Sequence, residues 1–162
     1  ALNHRVGEEV LKLPEAVIRE SVKTVPGTDG QKMSKSYGNT IDIFASAKAL
    51  KKQVMGIVTD STPLEEPKNP DTCNVFALYQ LLATETQIEE MRANYLGGNY
   101  GYGHAKKALL ELIMERYGDA REKYQMLIDN PQQFEDYLLA GAEKVRPIAR
   151  EVLNRVRGSL GF

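Results

Sequence analysis

Two stretches that meet at a single Asn-Pro pair constrain this chain more than anything else in it. Within residues 104–129, Ala105, Ala108 or Leu109, Leu112, Ile113, Tyr117, Ala120, Tyr124, Leu127 and Ile128 recur at the spacing that places side chains on one face of an α-helix. Residues 131–157 repeat the pattern at Phe134, Leu138, Gly141, Val145, Ile148, Val152 and Val156, a four-three alternation close to a heptad. Asn130-Pro131 restarts the helix, with asparagine as the expected cap and proline at the first helical position, where its missing N–H costs nothing. Early Glu135 and Asp136 and late Arg150, Arg155 and Arg157 complement the helix dipole. Pro147 is expected to kink this helix and not to break it, because the stripe keeps its phase across the proline. A chain holding these two helices is mainly α, and the stripes are expected to form bundle core.

The rest of the sequence is more heavily punctuated. From Thr40, Ile43, Ala47, Leu50, Val54 and Ile57 or Val58 predict a helix that stops in TDSTPLEEPKNP, residues 59–70, where three prolines oppose continuation. A second helix is expected to open at PDTCNVFALYQLLA, capped by Asp71 or Thr72, with Val75, Leu78, Tyr79 and Leu82 on one face. TETQIEEMRANYL predicts a third, and GGNYGYG, residues 97–103, a corner. Residues 1–26 are mixed: LNHRVGEEVLKL alternates apolar positions, and LPEAVI reads as an extended piece leading to a turn.

Bulk properties exclude several classes. A net charge of -1 argues against a chain devoted to coating nucleic acid. The lone Cys73 cannot form an internal disulfide, and no apolar run approaches the roughly 18 residues of a membrane span, so a cytoplasmic setting with no membrane contact is expected. His4 and His104 have no titratable partner at catalytic or metal-ligand spacing, so each is expected to be a surface or capping residue and no metal site is expected. The chain starts at Ala1 inside what reads as a structured segment, as a fragment or a processed chain would.

The chemistry concentrates in GTDGQKMSKSYGNT, residues 27–40. Lys32 and Lys35 are compact charges on flexible stems, Ser34 and Ser36 add hydroxyl donors, and the glycines let backbone amides turn toward an anion. Such a loop is a candidate polyphosphate clamp. The string KMSKS followed by YGN resembles the second signature loop of class I aminoacyl-tRNA synthetases. That resemblance implies ATP as substrate, with Mg2+ accompanying it, and a loop that closes over the triphosphate as pyrophosphate leaves. Lys35 would be the principal contact and Lys32 the second, with Ser34 and Ser36 as donors and the Met33 backbone near the adenine.

The flanking segments, VTDS at residues 58–61, PDTCNVFALYQLL, IEEMRANYLGGNYGYGHAKKAL and AGAEKVRPIAREVLNRVRGSLGF, look like the tryptophanyl-tRNA synthetase family over the length of the chain. A tyrosyl-type relative is the alternative within the class, and a non-catalytic RNA-binding module the alternative outside it. The resemblance implies that residues 1–42 close an α/β nucleotide-binding catalytic domain and that residues 43–162 form a helical anticodon-binding domain. It further implies activation of L-tryptophan, transfer to tRNA(Trp) and a homodimeric parent. The first catalytic signature of the class has no counterpart here, so this chain by itself is expected to be inactive. Thr59, Asp60 and Ser61 are candidates for a base edge, although they serve equally as a helix stop. Lys106 and Lys107, after the glycine corner, are candidates for tRNA phosphate, with Arg116, Arg121, Lys123, Arg146, Arg150, Arg155 and Arg157 as weaker ones. Tyr100 and Tyr102 are expected to pack on the bundle in preference to stacking on a base.

Overall fold

A computed structural model of the chain describes residues 2–7, 9–18 and 24–161. It is mainly helical, with α1 (Leu2–Val6), α2 (Ala47–Met55), α3 (Asn74–Tyr79), α4 (Glu85–Gly97), α5 (Tyr102–Asp129) and α6 (Pro131–Leu160). Contacts divide it into two compact units, Arg19–Tyr124 and Ala1–Ile18 with Gln125–Phe162. The boundary expected at residues 42 and 43 falls inside the first of these.

The core of the Arg19–Tyr124 unit joins Leu50, Val54 and Ile57 to Val75, Phe76 and Tyr79, to Met91 and Tyr95, and to Ala105, Leu109 and Ile113. The stripes of α2, α3 and α4 and the first half of the α5 stripe thus find partners, whereas Ala120, Tyr124 and Ile128 farther along α5, expected in the core, are exposed; a fully buried side chain of this size contributes about 1.5–3 kcal/mol. Phe76 meets Tyr95 edge-on at 5.6 Å between centroids, the arrangement that the ring quadrupole favours.

Three boundaries differ from the sequence reading. The helix expected from Thr40 begins at Ala47, because polar side chains satisfy the preceding amides first. The Asp42 carboxylate accepts from Phe44 N–H at 2.9 Å, and Ser46 Oγ caps Ala49 N–H at 3.3 Å. Neither Asp71 nor Thr72 caps the next helix. A 3-10 turn, Pro70–Thr72, comes first and is capped by Asn69, while the Asp71 carboxylate accepts from Arg92 at 2.8 Å. Finally, Asn130 precedes α6 without a side-chain cap; its amide donates back to Met126 C=O at 2.7 Å. The helix α4 follows expectation, with a reciprocal capping box between Thr84 and Gln87.

A buried lysine anchors the proline-rich connection between α2 and α3. Lys68 is only 3% exposed, and its ammonium donates to the carbonyls of Pro63, Leu64 and Glu66 at 2.8, 3.3 and 3.0 Å. Three acceptors compensate the desolvated charge, as burial of an ammonium group requires.

The other unit contains α1, α6 and the last residues of α5. The start of the mixed LNHRVGEEVLKL segment forms α1, and Asn3 ties it down by donating to Leu11 C=O and accepting from Leu11 N–H, at 2.6 and 3.0 Å. The turn expected after Ile18 lies outside the described residues. The stripe on α6 does not form core. Phe134, Leu138, Val145 and Ile148 are 48–64% exposed, while Val152 and Val156 are half-buried. Periodicity sets which side chains share a face, but an apolar face becomes core only where another element covers it. Pro147 lies inside the helix, as expected.

Candidate functional site

Residues 24–40 form a folded loop on the Arg19–Tyr124 unit. Pro26 and Lys32 make an antiparallel bridge, Gly27 N–H donates to Gln31 C=O at 2.6 Å, and Met33 N–H donates to Val25 C=O at 2.9 Å. The tip between them turns at Gly30, whose φ of +83° favours glycine. Beyond it Lys35–Tyr37 form a single 3-10 turn. Ser34 Oγ caps it by accepting from Ser36 N–H at 3.3 Å, and Gly38 closes it in the left-handed region.

The side chain of Met33 lines an apolar cleft of about 310 Å³ together with Val25, Ile41, Ile43, Leu109 and Tyr117. Lys32 and Lys35 point the other way chemically: both are exposed, as is Ser36, and Ser34 is half-buried. Two cations and the Ser36 hydroxyl therefore face solvent on a backbone whose bonds are already made, while the Ser34 oxygen serves as the cap of Ser36 N–H. Met33 N–H is occupied by Val25 C=O.

Asn39 holds this backbone, and sequence reasoning did not single it out. It is 3% exposed. Its Oδ1 accepts from Ser34 N–H at 2.8 Å, and its Nδ2 donates to Asp29 Oδ1 at 2.7 Å and to Lys32 C=O at 3.2 Å. The bond from Asn39 holds the Asp29 carboxyl below the usual carboxylate range, assisted by the Gln31 amide. The available signal was an amide residue beside a left-handed glycine, which also describes many ordinary turns.

The other candidates are dispersed. Asp60 accepts from Thr62 N–H at 2.9 Å and from Tyr102 O–H at 2.7 Å. These bonds, with that to the Thr62 side chain first, lower its pKa, while burial and Asp60 push the Tyr102 phenol up to about 12. Thr59 is half-buried and Ser61 exposed. Lys106 reaches Met55 C=O at the end of α2, 3.1 Å away, and burial lowers its pKa. Lys107 is exposed and lies 3.8 Å from Glu111 one turn on. Arg116 donates to Leu82 C=O at 3.0 Å, Arg121 to the carbonyls of Ile43 and Ala45, and Arg155 to Val10 C=O at 3.1 Å. Tyr100 and Tyr102 pack against Tyr95, at 5.9 and 6.1 Å. His4 and His104 are both exposed. No cluster of metal-ligating side chains occurs among the described residues, and none of their helices is long and apolar enough to cross a membrane.

A family model described as tRNA synthetases class I (W and Y) matches residues 1–118. The chain belongs to that family. Its relatives within the class I synthetases include the tryptophan–tRNA ligase of Fusobacterium nucleatum, 50% identical over 160 residues that make up 99% of this chain and 49% of the relative. The tryptophan–tRNA ligase of Campylobacter jejuni is 47% identical, over 95% of this chain and 48% of its own length. A crystal structure of the Campylobacter jejuni tryptophanyl-tRNA synthetase, complexed with ADP and tryptophan, superposes with a TM-score of 0.85 at 46% identity. That match covers 99% of this chain and 50% of the solved one. The chain thus spans about half the length of the curated relatives it matches.

Proposed function

We propose that this chain is the pyrophosphate-handling and tRNA-reading part of a tryptophan–tRNA ligase. The whole enzyme activates L-tryptophan with ATP, releasing pyrophosphate and forming tryptophanyl adenylate, and then transfers the tryptophanyl group to tRNA(Trp). The observation that carries this reading is the near-complete match to tryptophan–tRNA ligases of a chain that presents Lys32 and Lys35 free on a pinned loop. A relative that binds ADP and tryptophan supports it. The parent is a cytoplasmic homodimer.

As the tryptophan carboxylate attacks the α-phosphorus, the α–β bridging bond breaks and negative charge accumulates on the departing pyrophosphate. Lys35 meets that charge principally and Lys32 second, with hydroxyl hydrogens of Ser34 and Ser36 completing the set. Mg2+ enters with ATP as part of the substrate. Preplaced donors are effective because the protein does not reorganise at the moment of reaction. The long lysine stems let the ammonium groups follow the leaving oxygens as the loop closes over the triphosphate. Activation also needs groups that hold ATP from the opposite side. The first signature turn of the class has no counterpart in the 162 residues, which alone do not catalyse it. Residues 43–162 supply the anticodon-binding helices, with Thr59, Asp60 and Ser61 at a base edge and Lys106 and Lys107 near phosphate.

The test is a chimera in which this chain replaces the matching half of the Fusobacterium nucleatum ligase. It should catalyse tryptophan-dependent ATP–pyrophosphate exchange, and Lys35→Ala should lower the rate about 100- to 1,000-fold, the usual cost of one preplaced donor. An unimpaired Lys35→Ala chimera would refute the clamp. Exchange by the isolated chain, lost in Lys35→Ala, would refute its inactivity alone. Filter binding tests the tRNA reading: equal affinity for tRNA(Trp) with an altered anticodon would sink it.

A further inference from the structure

We propose that Asn39 is a positioning residue for the lysine loop, setting the spacing of Lys32 and Lys35 by locking the backbone on both sides of Met33. This rests on the clamp reading above and extends it to a residue that touches no substrate.

A primary amide has two N–H donors and one carbonyl acceptor, and at Asn39 all of them are used inside the loop. One donor meets Lys32 C=O at 3.2 Å and the acceptor meets Ser34 N–H at 2.8 Å, so the peptide planes before and after Met33 are fixed by one side chain. The other donor meets Asp29 at 2.7 Å, a charge-assisted bond that stops the amide from rotating. The main chain of Asn39 is held as well, its carbonyl accepting from Thr28 N–H at 2.9 Å.

Burial makes the arrangement specific. A Cβ on Gly27 would lie 2.3 Å from Asn39 Nδ2, so the loop closes over this amide with no room for a side chain. Aspartate has the shape of asparagine but neither donor. At position 39 it would keep an acceptor for Ser34 while turning a carboxylate oxygen toward the Asp29 carboxylate and the Lys32 carbonyl. Two attractive contacts become repulsive with no change in volume.

Two measurements test the assignment. In the 162-residue chain, Asn39→Asp should speed hydrogen exchange at Ser34 N–H and trypsin cleavage after Lys32 and Lys35, each by about tenfold for a loss near 1.4 kcal/mol. Asp29→Ala, at an exposed site, should act in the same direction but less. Unchanged Ser34 exchange in Asp29→Ala would overturn the proposal, and this variant decides the matter where Asn39→Asp is poorly folded, because it removes only the outer anchor.

In the chimera, Asn39→Asp should lower tryptophan-dependent pyrophosphate exchange by about 100-fold, the scale of an ångström-level misplacement of catalytic groups. Transfer to tRNA from supplied tryptophanyl adenylate should keep its rate, because no pyrophosphate leaves in that step. A general loss of structure would slow both half-reactions together, and that result, or wild-type exchange, would refute the positioning role. Failure of the clamp reading itself shows separately, as an unimpaired Lys35→Ala chimera.

Discussion

Two glycines of the loop share a backbone conformation but differ in surroundings, and replacing each by alanine separates strain from packing. Gly38, at φ +66°, has open space where a Cβ would go; Gly30, at φ +83°, would place that carbon 2.6 Å from Asn74 Oδ1 and 2.8 Å from Asn74 Nδ2. The left-handed conformation costs alanine about 1–2 kcal/mol, and the smaller entropy of the unfolded alanine chain returns about 0.4–1 kcal/mol. Gly38→Ala should therefore destabilise by about 1 kcal/mol net. Gly30→Ala adds the displacement of Asn74, whose amide donates to Val58 C=O at 3.1 Å. One neutral hydrogen bond contributes about 1 kcal/mol, which brings the total to about 2 kcal/mol. Gly118, inside α5 with nothing beyond its own stretch of helix backbone within 4 Å of its Cβ position, supplies the opposite control. Gly118→Ala should stabilise by about 0.5–1 kcal/mol. Urea unfolding midpoints at unchanged m-values read all three. If Gly30→Ala were no worse than Gly38→Ala, the packing of the loop tip on Asn74 would be wrong.

Other expectations follow from groups already satisfied in the fold. Lys68→Met should destabilise by about 1–3 kcal/mol, because it removes the shared donor of three carbonyls; a thermal midpoint equal to that of the parent chain would contradict the cage. Burial raises the phenol of Tyr95 strongly and that of Tyr102 to about 12, so the unfolded chain loses these protons first, from about pH 10. Stability is then fully present below pH 10 and falls as pH rises toward 12, and Tyr102→Phe should flatten part of that fall in alkaline titrations followed by circular dichroism. Lys107→Gln should lower the salt dependence of tRNA(Trp) binding by about one unit of slope. Lys106→Met, which also removes the donor to Met55 C=O, should lower the thermal midpoint as well; an unchanged midpoint would contradict that anchoring bond.

How far each element can be read from the residue string depends on how local its cause is. The helix α4 is fully legible: its capping box lies within Thr84–Gln87 and its helix follows at once. The delayed start of α2 is half-legible. Asp42 and Ser46 are local caps, but Arg121, which donates to the Ile43 and Ala45 carbonyls, lies far away in sequence. Asp71 looked like a cap by position and proved to be the partner of Arg92, which also lies over the Phe76 ring at 5.0 Å. Among basic residues the string offers identity without occupation. Lys106, Arg116, Arg121 and Arg155 all spend their charge on backbone carbonyls.

The sequence by itself determined the helical class, the glycine and proline breaks and the lysine loop, because helical period, turn preference and motif spacing are all written between near neighbours. Tertiary structure decided which apolar faces became core, burying those of α2 to α4 and the first half of α5 and leaving Tyr124 and Ile128 on α5 and Phe134, Leu138, Val145 and Ile148 on α6 exposed. It also made Asn39 the hub of the loop, through closure of Gly27 over the amide and the approach of Asp29. The physical reason is the same in both cases. A side chain's type sets what it can bury or bond, but whether a covering face or a matching donor stands within reach depends on where the folded chain brings its distant parts.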